Sequence, residues 1–121
     1  MITLPPAVRV FVHLGPTDMR RSLDGLAGMV REIIRADPLS GHLFVFFNRR
    51  RDRVKVLFWD RTGLALWYKR LEEGVFTLPK APDADQPQSV EMSWVDLSLI
   101  LEGIDLAGAK RGKRFRIRRS A

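Results

Sequence analysis

Two strand-like segments, Arg53–Trp59 and Leu64–Arg70, flank Asp60-Arg61-Thr62-Gly63, and this arrangement limits the fold more than any other stretch of the chain. Asp-x-x-Gly between runs rich in β-branched and aromatic residues is a hairpin signal. The spacing predicts a three-residue loop, a type I turn followed by a left-handed glycine and a bulge, with Asp60 opposite Leu64. In that register Val54, Val56 and Phe58 share a face with Leu64, Leu66 and Tyr68. Arg53, Lys55, Leu57 and Trp59 then share the other with Ala65, Trp67 and Lys69.

The flanking segments extend this hairpin into a sheet. Val8–Leu14 reads as a strand stopped by Gly15-Pro16. Leu23, Leu26, Ala27, Val30, Ile33 and Ile34 recur at helical spacing, with Ser22 as N-cap and Asp37-Pro38 as terminator. Leu43–Phe47 is apolar on both faces, as a central strand must be. Val75–Leu78 is expected to add a short strand, Pro79–Gln88 a loop and Val90–Met92 another extended piece. Ser93 caps a second helix over Trp94–Glu102, with Asp96 in its first turn and Gly103 beyond its end. The fold class is therefore α+β: a single domain over residues 1–106, mainly an antiparallel sheet built from an N-terminal strand and a three-stranded meander, with two helices. Two helices are expected to cover one face of such a sheet fully and to leave the other open.

Charge divides the chain differently. Of 121 residues, 21 are basic and 14 acidic, a net +7. Residues 1–70 carry net +7, residues 71–106 net −7 and residues 107–121 net +7. The last segment is read as a disordered basic tail whose Lys110, Arg111, Lys113, Arg114, Arg116, Arg118 and Arg119 point to nucleic acid.

Catalytic chemistry is missing from the pattern. Without cysteine there is no disulfide, thiolate metal site or Cys nucleophile, as suits a reducing compartment. His13 and His42 have no metal-ligand spacing, and neither G-x-S-x-G nor a phosphate-binding G-x-x-x-x-G-K-[ST] occurs. The expectation is a chain with no enzymatic activity, no cofactor and no metal. The first residues lack a basic region followed by an apolar stretch, and no apolar run nears the roughly 20 residues that span a bilayer. A cytoplasmic protein without membrane contact is expected.

Binding chemistry is more visible. Asn48-Arg49-Arg50-Arg51-Asp52-Arg53-Val54-Lys55 places five cations between Arg49 and Lys55, where guanidinium groups suit phosphate oxygens. The predicted register extends this stripe through Arg53, Lys55 and Lys69 and sets Trp59 and Trp67 beside it, as in a platform that stacks bases. Gly15–Ser22, between the first strand and the first helix, carries Arg20 and Arg21 and suits an anion or a plain structural turn. The second helix is apolar on more than one stripe, so Trp94, Leu99 and Ile100 either enter the core or face a partner chain.

A series of motifs then resembles a known family. Gly15-Pro16-Thr17-Asp18-Met19-Arg20, Asp24-Gly25-Leu26, Asp37-Pro38-x-Ser40-Gly41, Asn48–Arg53, Trp59-Asp60-x-x-Gly63, Trp67–Glu72 and Leu101–Asp105 are similar, in this order, to the small TnpB-type accessory protein of the insertion-sequence-66 family of bacterial transposons. The resemblance covers residues 1–106 except the Pro79–Gln88 loop, and the tail lies outside it. It implies an accessory needed for transposition, working beside a separate and larger transposase that holds the catalytic carboxylates. That transposase is the implied partner; the basic clusters and the tail point to DNA as a second, with self-association as a further option. The competing class is a protein adaptor that docks on the transposase, or on a second copy of itself, without touching DNA.

Overall fold

A strand buried on both sides organises the molecule. In the computed structural model, which describes residues 7–79 and 89–103, β2 (Leu43–Phe47) has all five side chains buried. The other strands are β1 (Val10–Pro16), β3 (Arg53–Trp59), β4 (Leu64–Arg70) and β5 (Ser89–Met92), joined in one sheet of order β4-β3-β2-β1-β5. β1 and β2 are parallel; the remaining pairs are antiparallel, and β2, β3 and β4 form the expected meander.

Helix α1 (Leu23–Met29) continues into a π-helical turn, Val30–Ile34, and bridges β1 to β2. Ser22 occupies the N-cap position in an extended conformation but makes no side-chain cap bond. Arg35 ends the turn in the left-handed region, and Pro38 blocks any continuation. Helix α2 (Trp94–Leu101) is capped as expected, with Ser93 Oγ accepting from the Asp96 amide at 3.1 Å and Gly103 at φ +82° beyond its end.

The two helices lie on opposite faces, which corrects the expectation of one open face. On one face Leu26, Ala27, Met29 and Val30 pack with Phe44, Phe46 and Leu57. On the other Leu97, Ile100 and Leu101 pack with Val10, Val12, Val45, Phe47, Val54 and Val56. Phe76 is buried in this second cluster, but Val75–Leu78 joins no strand ladder. The expectation of a partner surface at Trp94, Leu99 and Ile100 is likewise corrected: Leu99 and Ile100 are 3 % and 0 % exposed, and Trp94 packs against the cluster that holds Ile100. A helix laid across a sheet buries more than one stripe of its surface, so its excess apolar residues are used within the chain. The end of the domain at 106 and the basic tail lie outside the described residues.

The hairpin register also differs. Trp59 pairs with Leu64, Leu57 with Leu66 and Lys55 with Tyr68. The Asp60 amide donates to the Gly63 carbonyl at 3.0 Å, and Arg61 takes φ +81°, the primed-turn geometry of a two-residue loop. One residue of slip exchanges every face partner on β4. Because both faces are covered, polar and apolar positions need not separate cleanly, and the sorting that favoured the longer loop carried no information.

Candidate nucleic-acid interface

Parallel pairing of β1 and β2 brings their C-terminal ends to the same edge of the sheet. The loops that follow, 17–22 and 48–52, therefore meet there, with the Thr17 amide donating to the Phe47 carbonyl at 2.8 Å. The start of β3 and the end of β4 complete this edge, since Arg53 pairs with Arg70.

Asn48 and Asp52 frame the arginine loop. Asn48 Oδ1 accepts from the Asp52 and Arg53 amides, both at 3.0 Å, and its Nδ2 donates to Asp52 Oδ1 at 2.6 Å. This bond, more than the nearby Arg50 and Arg53 charges, holds the Asp52 carboxyl below its ordinary pKa. The Phe76 and Leu71 amides bond the Arg51 and Asp52 carbonyls at 2.7 Å, locking the loop to the segment after β4. Arg51 is held at φ +60°, a conformation that an L residue other than Gly, Asn or Asp rarely adopts. Arg49, Arg50 and Arg51 are exposed, and none forms a salt bridge among the described residues.

The neighbouring loop is ordered by Asp18 and Lys55. Asp18 receives the Arg20 guanidinium in bidentate fashion, 2.7–3.1 Å, and the Arg20 amide at 2.9 Å. These bonds bring its pKa down to about 2. Lys55 is only 8 % exposed; its Nζ donates to the Met19 and Arg21 carbonyls at 2.7 and 2.8 Å and lies over the Tyr68 ring. Two grooves open between the loops. One of about 350 Å³ is lined by Met19, Asn48, Arg50, Asp52 and Arg53 together with Thr17, Asp18 and Arg49; these last three also line an adjoining cavity of about 490 Å³.

The predicted basic and aromatic platform does not form. Arg49, Arg50 and Arg53 line the two openings together with Arg21, bringing side by side two clusters that the residue pattern offers only as separate candidates; Arg51 is exposed on the same loop and Arg20 is bound to Asp18. Lys55 is instead a buried tether. Trp59 lies six residues along β3 from Arg53, roughly 20 Å away at about 3.3 Å per residue. Trp67 is on the opposite face, packed into the α2 cluster, and Lys69 caps α2 through the Leu101 carbonyl at 2.9 Å. The tail cations Lys110, Arg111, Lys113, Arg114, Arg116, Arg118 and Arg119 lie outside the described residues. His13 and Thr17, which line the larger cavity, were not singled out as binding residues by the pattern. Their signal is the parallel pairing of β1 with β2, which no local spacing encodes.

This chain matches the family described as IS66 Orf2 like protein over residues 8–111. The chain belongs to that family. The match includes the arginine loop, both loops of the candidate edge and all five strands. Among its relatives is "Uncharacterized protein y4jC" of Sinorhizobium fredii (strain NBRC 101917 / NGR234), 36% identical over 111 residues and 92% of each chain. Another is "Uncharacterized protein y4hO" of the same strain, 40% identical over 98 residues, 81% of this chain and 82% of that one. No solved structure matches. IS66 Orf2-like membership makes this a transposition-associated accessory protein. Among the described residues no cluster of His, Cys, Asp or Glu suits a metal ion, and no helix is long and apolar enough to cross a membrane.

Proposed function

We propose that this protein is a non-catalytic accessory of transposition that binds DNA by its phosphates and assists assembly of the separate transposase. The observation that carries the reading is the framed loop, which presents Arg49, Arg50 and Arg51 to solvent with no salt bridge among the described residues. A loop that keeps arginine at a left-handed position retains backbone strain, and such strain concentrates at functional sites. Arg53 and Arg21 flank the loop and widen the cationic edge. The seven cations of the tail add a sequence-independent contact.

The test is a salt titration of binding to element-end DNA. Each phosphate contact contributes about 0.9 to the slope of log K against log salt. Arg50→Gln with Arg51→Gln should therefore lower the slope by about 2 at unchanged fold. An unchanged slope and affinity would refute the reading and favour an adaptor that works through protein contacts alone.

A further inference from the structure

We propose that the cavity between β1, α1 and the 48–52 loop is a site for a phosphate monoester, the terminal phosphate of a DNA strand. The assignment to DNA rests on the reading above; the pocket itself does not. Its volume, about 490 Å³, falls within the range of small-ligand sites. His13, Thr17, Arg21 and Arg49 line it, from β1 and from both loops of the cationic edge.

Two of these residues are buried and unpartnered. His13 is 6 % and Thr17 4 % exposed, and neither His13 Nδ1 nor Thr17 Oγ1 has a hydrogen-bond partner among the described residues. Buried polar atoms are nearly always bonded, so two orphans on residues that line one cavity are unused hydrogen-bonding groups beside it. Arg21 and Arg49 make no hydrogen bond or salt bridge through their guanidinium groups among the described residues. The single carboxylate of the lining, Asp18, is occupied by Arg20.

The combination selects the ligand class. Two guanidinium forks and a hydroxyl offer more donors than a carboxylate can accept, and they suit an oxyanion with three terminal oxygens and two charges. Met29 and Ile33, carried by α1 and the π-helical turn, form an apolar wall where a sugar can pack.

Titration of the full chain with inorganic phosphate, followed by amide NMR at fixed ionic strength, reads the pocket directly. Saturable shifts at residues 13–18 and at Arg49 are expected, weakened about tenfold in both Thr17→Val and Arg49→Gln. Thr17→Val removes the hydroxyl without changing the volume, and Arg49 is exposed, so neither variant endangers the fold. Absence of saturable shifts, or shifts that both variants leave intact, overturns the site. In a second arm, a blunt duplex with 5′-phosphates should bind at least fivefold tighter than the unphosphorylated duplex, and Thr17→Val should erase that preference. Phosphate binding without an end preference overturns the DNA assignment and leaves a pocket for a small phosphorylated molecule. Loss of internal-duplex affinity in Arg50→Gln is scored separately, so failure of the pocket and failure of the arginine loop are told apart.

Discussion

Replacing Lys55 by Met separates a structural lysine from a DNA contact. Met keeps the unbranched stem beside Tyr68 and removes only the ammonium, whose two hydrogen bonds hold the Met19 and Arg21 carbonyls. Bonds to a charged donor are worth about 1.5–3 kcal/mol each, so the gross loss is about 3–6 kcal/mol. Removing a buried charge recovers part of its desolvation cost, and a loop at the surface lets water reach the freed carbonyls. A net loss of about 2–3 kcal/mol remains, which at a urea m-value near 1.5 kcal/mol per M lowers the midpoint by about 1.3–2 M. The assay is urea denaturation followed by tryptophan fluorescence, paired with a salt titration of DNA binding under native conditions. The expected result is reduced stability with the salt slope unchanged, because Lys55 is 8 % exposed and out of reach of a phosphate. A variant as stable as the parent, whose salt slope falls by about 1, would place Lys55 on DNA and refute the tether.

Three further outcomes follow from the same edge. Asn48→Ala removes three hydrogen bonds of the arginine loop and should cost about 2–3 kcal/mol, at about 1 kcal/mol each, with increased amide exchange across residues 49–53 in hydrogen-exchange measurements. Arg51→Asn fits the left-handed backbone better, so it should leave thermal stability equal or higher while DNA affinity falls in a binding titration; lower stability with intact affinity would contradict the argument. Asp18, with its pKa drawn down to about 2 by Arg20, supports the folded loop above the unfolded carboxyl value near 3.9 and loses that support as pH falls towards 2. Arg20→Gln should return its NMR-detected titration towards the ordinary carboxylate range.

Local patterns located most elements because they depend on near neighbours. The all-apolar run Leu43–Phe47 announced a strand covered on both faces, and Ser93 with Gly103 bounded α2. Asn48–Arg53 announced a cationic turn, and its exposed arginines are where that turn places them. The sorting of Trp59, Trp67, Lys55 and Lys69 was not legible, since it depends on a one-residue choice of register that local composition left open. With helices on both faces, each choice buries apolar side chains, and only the turn at Arg61 and the packing of α2 decide between them.

The sequence by itself determined where the five strands of the sheet and the two helices lie, the arginine loop and the family, because each is encoded in the order of adjacent residues; Val75–Leu78, expected as a strand, joins no ladder. The tertiary structure alone decided that Lys55 and Lys69 serve main-chain carbonyls and that Leu99 and Ile100 belong to the core. It also brought His13 and Thr17 to one cavity with Arg21 and Arg49. The physical reason is the parallel pairing of β1 with β2, a contact across more than thirty residues that sets two distant loops side by side.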